Sequence, residues 1–69
     1  MLCVAEVTAD LIIGRALECT SYANAESTAL RLIERRGVEI TPTLRRALTL
    51  DNCYIAPSGQ WSVCIFSPE

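Results

Sequence analysis

The side chains that could carry chemistry in this 69-residue chain are arginines, cysteines and carboxylates, because it contains no histidine and no lysine. A nucleophile would therefore lack the imidazole or amine that usually serves as its base, and a histidine-ligated metal site is excluded. The glycines, Gly14, Gly37 and Gly59, lie too far apart to form a loop that cradles phosphate. The sequence thus predicts a protein that is not an enzyme and that uses no cofactor.

The four cysteines are spread along the chain, and no two of them form a CxxC pair (Cys3, Cys19, Cys53 and Cys64). This spacing does not fit a zinc ribbon or a thioredoxin-type redox motif. Free cysteine behaves as a small hydrophobic residue that is often buried, and all four lie in apolar stretches. Buried free thiols are the favoured interpretation, and a disulfide or a metal site is the alternative.

Positive charge is concentrated in the middle of the chain, although the whole chain carries a formal net charge of −2. Residues 31–46 contain five arginines and two acids, which gives this segment a local charge of +3, whereas both flanking segments are acidic. A total charge near neutrality argues against a general polyanion binder. The middle third either presents a local basic face to nucleic acid or simply solvates helix surfaces with its arginines.

The sequence predicts a first helix from Thr8 to Cys19. Thr8 is a suitable N-cap, and Asp10 suits the positive end of a helix. Apolar residues then recur at helical spacing on one side (Ala9, Ile12, Ile13, Ala16, Leu17 and Cys19). The preceding residues, from Leu2 to Val7, predict either a short strand or a lead into this helix.

Two further helices are indicated by residues that start and stop helices. The second is predicted over about 25–36 and ends before Gly37, because glycine readily adopts the left-handed conformation of a helix stop. The third begins at Thr41-Pro42, where threonine caps the helix and proline occupies its first turn, and it runs to about Asp51.

The end of the chain predicts a β-hairpin. Apolar and polar residues alternate on both sides of the turn sequence Pro57-Ser58-Gly59-Gln60. Trp61 is predicted to anchor a small core on the inner face of this hairpin, and the alternative is an exposed contact for a partner.

The order of these elements predicts one α+β domain over residues 1–69, in which three short helices are followed by a C-terminal β-hairpin. This is the arrangement of a winged helix-turn-helix, in which the third helix enters the major groove and the hairpin forms the wing.

The stretch from Glu26 to Leu48 resembles the amino-terminal DNA-binding domain of bacterial arginine repressors. In that family a helix ending in Arg-Gly is followed by an Ile/Val-x-Val-Thr turn and by a recognition helix with an arginine before its core leucine. The corresponding residues here are Arg36-Gly37, Val38-Glu39-Ile40-Thr41 and Arg46-Ala47-Leu48. The resemblance implies a transcriptional regulator that binds double-stranded DNA, in which Arg46 reads the duplex with Thr43, Arg45 and Thr49 beside it.

Composition adds expectations about partners and location. The hydrophobic fraction of 51% exceeds what one three-helix core readily hides, which predicts a homodimer. The alternative function is that of a small phage or mobile-element protein that inhibits a host protein, using its acidic first helix or the apolar Leu11 and Leu50. The first 13 residues lack the basic region of a secretory signal, and no run approaches the ~18 apolar residues of a membrane span. We therefore expect a cytoplasmic protein without a membrane partner.

Overall fold

The computed structural model describes residues 1–8 and 11–68, and only the backbone path of residues 11–15. The described elements are β1 (Leu2–Thr8), β2 (Leu11–Cys19), α1 (Tyr22–Arg35), α2 (Pro42–Asp51), β3 (Cys53–Ile55) and β4 (Trp61–Phe66). The strands form one antiparallel sheet in the order β2-β1-β4-β3. The α+β class is confirmed, whereas the arrangement of three helices before a C-terminal hairpin is wrong.

The predicted first helix is replaced by a β-hairpin. β1 pairs with β2, so that Thr8 lies opposite Leu11 rather than capping a helix, and Leu2 lies opposite Cys19. Ile12 and Ile13 are β-branched and Gly14 is a poor helix former, so the local preference for a helix is weak. β1 lies between β2 and β4, and β2 therefore satisfies the backbone groups of an edge that would otherwise stay unpaired. Ala9 and Asp10, which the helix prediction used, lie outside the described residues.

The other two predicted helices are confirmed. α1 begins at Tyr22, a few residues before the predicted start, where the Ser21 hydroxyl accepts a hydrogen bond from the Asn24 N–H at 3.2 Å. It ends just before Gly37, whose φ of +82° lies in the left-handed region. The cap of α2 is also as predicted, because the Thr41 hydroxyl accepts a hydrogen bond from the Leu44 N–H at 3.1 Å.

The C-terminal hairpin is confirmed, but it does not form a wing. The Gly59 N–H donates to the Ala56 carbonyl at 2.8 Å, which closes the turn that joins β3 to β4. β4 then pairs along its other edge with β1, from Trp61 opposite Thr8 to Phe66 opposite Cys3. The hairpin is therefore part of a four-stranded sheet, and the winged helix-turn-helix prediction is wrong.

The core lies between one face of this sheet and the two helices. It consists of buried residues from β1, β4 and both helices (Val4, Ala25, Ala29, Leu32, Ile33, Leu48, Val63 and Ile65). Trp61 is half-buried and packs against the edge of this core. No helix of the described chain is both long enough and apolar enough to span a membrane.

Candidate nucleic-acid interface and the open sheet face

The orientation of α2 is set by its apolar side. Leu48 is completely buried in the core, and Leu44 packs against the same core while half-buried. Since side chains on a helix surface repeat every three to four residues, this anchoring turns the remaining positions outward. The exposed positions of α2 include all four predicted DNA-contacting residues and one apolar side chain (Thr43, Arg45, Arg46, Thr49 and Leu50).

Arg45 and Arg46 have no acidic partner among the described side chains. The ion pair found among those side chains joins Arg36 to Glu6 instead, with 2.8 Å between Nε and Oε2. The first turn of α2 contains no acid, and the backbone dipoles of a helix add positive potential at that end. The amino-terminal half of α2 is therefore a positive surface whose guanidinium groups are available to an external anion.

Thr49 is engaged within the protein rather than directed to an external ligand. Its hydroxyl oxygen lies 2.9 Å from the Glu26 carboxylate and 3.0 Å from the Arg45 carbonyl oxygen. A hydroxyl has only one hydrogen to donate, and whichever of these two oxygens accepts it, the Thr49 hydroxyl has no hydrogen left to donate to an external ligand. The Glu26 contact links α1 to α2, and Thr49 thus helps to fix the angle at which α2 presents its arginines.

A groove between the two helices brings together charged side chains whose proximity was not predicted from the sequence. Arg31 on α1 and Arg45 on α2 both line it, together with Glu34. The spacing of apolar residues along α1 places Arg31 on the polar side of the helix, and this pattern predicts that Arg31 is exposed. Its place beside Arg45 depends on how the helices pack, and the sequence did not show this.

Arg36, unlike Arg45 and Arg46, makes its contacts within the protein. Its guanidinium carbon lies 4.6 Å from the centre of the Trp61 ring, in addition to its hydrogen bond with Glu6. Tyr54 packs against the same indole, with 5.8 Å between ring centroids. These contacts tie the end of α1 to β1 and β4, so Arg36 is a structural residue.

The second distinctive surface is the sheet face that the helices leave uncovered. Val4, Val63 and Ile65 point into the core, and alternation along the strands places their neighbours on the opposite face. The part of this open sheet face formed by β1, β3 and β4 is mostly apolar (Cys3, Ala5, Val7, Cys53, Ile55, Ser62, Cys64 and Phe66). On β2, Glu18 lies opposite Cys3 and adds an exposed carboxylate to the same face. Cys3 and Ala5 are buried between flanking strands, whereas Ile55 is 65% exposed.

Two of the cysteines meet on the open sheet face. Cys53 and Cys64 lie directly opposite each other on β3 and β4, and their sulfur atoms are 2.9 Å apart. Burial, followed by the hydrogen bond and the charge of Cys64, raises the pKa of Cys53 to about 12. All four cysteines are free thiols. Cys3 is buried, whereas Cys19, Cys53 and Cys64 are only half-buried, so the prediction that all four are buried is wrong.

The described residues contain no cluster of three or more side chains that could hold a metal ion.

The pairing of Cys53 with Cys64 was not predicted from the sequence, although the predicted turn contained the signal for it. A four-residue loop from Pro57 to Gln60 pairs Ala56 with Trp61, and counting three residues outward along both strands reaches Cys53 and Cys64.

No family model matches this chain, and no curated protein or solved structure is significantly similar to it. The segment that resembles arginine repressors does fold as two helices joined by a turn. The element before it is strand β2 instead of the helix that capping residues and apolar spacing predicted over residues 8–19.

Proposed function

We propose that this protein is a small DNA-binding regulator that contacts the duplex through the outer side of α2. The observation that carries the proposal is the exposure of Arg45 and Arg46 side by side, with no acidic partner among the described side chains. Thr43 is exposed one turn earlier and can add a hydroxyl contact. The proposal keeps three of the four residues predicted from the sequence, without Thr49, whose hydroxyl contacts Glu26 and the Arg45 carbonyl, and it no longer includes the winged fold.

The chemistry of these residues suits both the DNA backbone and base edges. A guanidinium group makes bidentate hydrogen bonds with phosphate, or with the O6 and N7 atoms of guanine. Each good bidentate base contact provides roughly 1–3 kcal/mol of discrimination against a wrong base. The ten-residue α2 is about 15 Å long, and the major groove, about 12 Å wide, admits a helix.

The acidic residues of the helix layer limit how strongly this surface can bind. Glu34 lies in the groove beside Arg31 and Arg45, and Glu26 receives the contact from Thr49. Attraction is therefore local, and we expect only about two to four phosphate contacts. Since the slope of log K against log salt is about −0.9 per phosphate neutralised, the expected slope is about −2 to −4.

Fluorescence anisotropy of a labelled duplex, titrated with the protein at low and then moderate salt, tests the proposal. The variant Arg45→Ala/Arg46→Ala should lose at least tenfold in affinity. The matched control, Arg31→Ala/Arg35→Ala, removes the same charge from α1 and should lose distinctly less. Equal losses in the two variants would show that binding depends on total charge and not on the outer side of α2. No binding by the folded wild-type protein at low salt would refute the proposal.

A second candidate function is the binding of a protein partner, and the open sheet face favours it. Ile55 is exposed on this face and Val7 and Phe66 are half-buried, which gives a partner protein an apolar surface to cover. A homodimer formed through this face would leave both helix layers on its outer sides.

Sedimentation analysis of the wild-type protein and of Ile55→Glu tests this second candidate. If the face covers a second copy, the wild-type protein sediments as a dimer and the charged variant as a monomer. A monomeric wild-type protein whose DNA affinity is unchanged by Ile55→Glu would leave self-association without support and the α2 proposal intact.

A further inference from the structure

We propose that Cys53 and Cys64 form a reversible intramolecular disulfide that fastens β3 to β4. The two residues are direct partners in the antiparallel ladder, and their sulfur atoms are already 2.9 Å apart. A disulfide requires an S–S distance of about 2.05 Å, so closure needs a movement of less than about 1 Å. This proposal does not depend on DNA binding.

The position of the pair within the ladder suits a disulfide. The Ile65 N–H donates to the Asn52 carbonyl at 2.8 Å, which makes the neighbouring pair a hydrogen-bonded one. Hydrogen-bonded and non-hydrogen-bonded pairs alternate along an antiparallel ladder, so Cys53 and Cys64 form a non-hydrogen-bonded pair. The Cα atoms of such a pair are about 4.5 Å apart, within the range of disulfides, which begins near 4.4 Å.

The other two cysteines are not placed to compete for this pairing. Cys3 lies on the same sheet face, but its direct partner on β4 is Phe66, and its side chain is buried. Cys19 lies opposite Leu2 on the other face, with its sulfur 3.9 Å from the Thr28 hydroxyl. The fold therefore selects one pair out of the six that four cysteines allow.

The chemistry is thiol–disulfide exchange with a low-molecular-weight disulfide as oxidant. Because the pKa of Cys53 is raised to about 12, we assign the first attack to the sulfur of Cys64. Cys64 loses its proton to solvent and attacks the oxidant, forming a mixed disulfide and releasing one thiolate. Cys53 then loses its proton, attacks the Cys64 sulfur and releases the second thiolate. The two thiols of the protein are oxidised by two electrons, and the oxidant is reduced to two thiol molecules.

The bond would fix an otherwise weakly held part of the fold. β3 contains only three residues and lies at the edge of the sheet, and it directly follows the end of α2 at Asp51. A cross-link to β4 therefore anchors the carboxyl end of α2 to the sheet. It also closes a loop of about a dozen residues, which removes conformational entropy from the unfolded chain.

The test is to incubate the folded protein with oxidised glutathione, quench it with acid, and then count free thiols and map disulfide-linked peptides. The expected product has two free thiols, a Cys53–Cys64 linked peptide and a Tm raised by on the order of 10 °C, and a reductant reverses all three. Cys53→Ser and Cys64→Ser should abolish the rise in Tm, whereas Cys3→Ser and Cys19→Ser should retain it.

Four free thiols after prolonged incubation, a different pairing, or dimers linked between chains would each overturn the proposal. Because the peptide map is made on the wild-type protein, the test stands even if a serine variant does not fold.

Discussion

Removal of the Arg36 side chain should destabilise the protein far more than removal of its neighbour Arg35. Arg36 donates to Glu6 at 2.8 Å and lies over the Trp61 ring at 4.6 Å. Arg35 is exposed and has no ion pair among the described side chains. The two arginines are adjacent at the end of α1. Each substitution therefore removes one positive charge from nearly the same position of the helix, and the two variants differ mainly in the contacts that they lose.

The magnitude follows from the exposure of the groups involved. The side chains of Arg36 and Glu6 are 34% and 19% exposed, so solvent screens their ion pair to about 0.5 kcal/mol. The contact of the guanidinium with the indole ring adds about 0.5–1 kcal/mol. Arg36→Met keeps part of the aliphatic stem and should therefore cost about 1–1.5 kcal/mol. For a domain of this size that lowers the Tm by roughly 4–12 °C.

Thermal unfolding followed by circular dichroism measures this difference. Arg35→Met should stay within about 0.5 kcal/mol of the wild-type protein. A double-mutant cycle of Arg36→Met with Glu6→Gln, repeated at high salt, separates the ion pair, which salt weakens, from the aromatic contact. Equal Tm values for the Arg36 and Arg35 variants would refute the claim that Arg36 ties α1 to the sheet.

Three further predictions concern the core, a helix cap and the Cys53 thiol. Leu48→Ala should cost about 2–5 kcal/mol in chemical denaturation because Leu48 is fully buried, whereas Leu50→Ala, at an exposed position, should cost less than about 0.5 kcal/mol. Thr41→Ala should cost about 0.5–2 kcal/mol through loss of the Leu44 N–H contact, and Thr41→Ser should restore most of it; equal stabilities would argue against the cap. Between the unfolded pKa of Cys53, near 9, and its folded pKa of about 12, the unfolded state binds fewer protons, so stability falls as the pH rises. The fall in Tm over this range should be smaller in Cys53→Ser, and identical slopes would contradict the raised pKa.

The parts of the fold that the sequence predicted are those fixed by a few neighbouring residues. Gly37 ends α1 at a positive φ, Thr41 caps α2, and the Ala56–Gly59 hydrogen bond closes the hairpin turn. Each of these signals acts over four residues or fewer, so it is legible without knowledge of the rest of the chain.

The segment 8–19 was misjudged because its structure depends on distant pairing. Its apolar residues satisfy a helical period, and Thr8 is a plausible cap, so local rules favour a helix. The strand forms because β1, held against β4 from the far end of the chain, needs a partner on its other edge. Ile12, Ile13 and Gly14 weaken the helix preference of this segment, but nothing within residues 8–19 specifies the pairing of β1 with β4. The far-UV spectrum should show about one third helix, and a value near one half would restore the predicted first helix.

In the candidate site, too, some features could be predicted from nearby residues, whereas others depend on how distant elements pack. The exposure of Arg45 and Arg46 can be read from the sequence, because Thr41-Pro42 marks the start of α2 and the helical spacing from Leu44 and Leu48 turns both arginines outward. The groove that joins Arg31 to Arg45 required the packing of two helices, and the open sheet face required the order of all four strands.

The most direct test of the central claim, that the outer side of α2 contacts DNA, is a nuclear magnetic resonance titration. The backbone amide signals of isotope-labelled protein are followed while a short duplex is added at low salt. We predict that the shifted signals cluster on α2 around Thr43, Arg45 and Arg46, with weaker changes near Arg31 across the groove. Shifts confined to the open sheet face around Ile55 and Phe66, or no shifts at all from the folded protein, would contradict the claim.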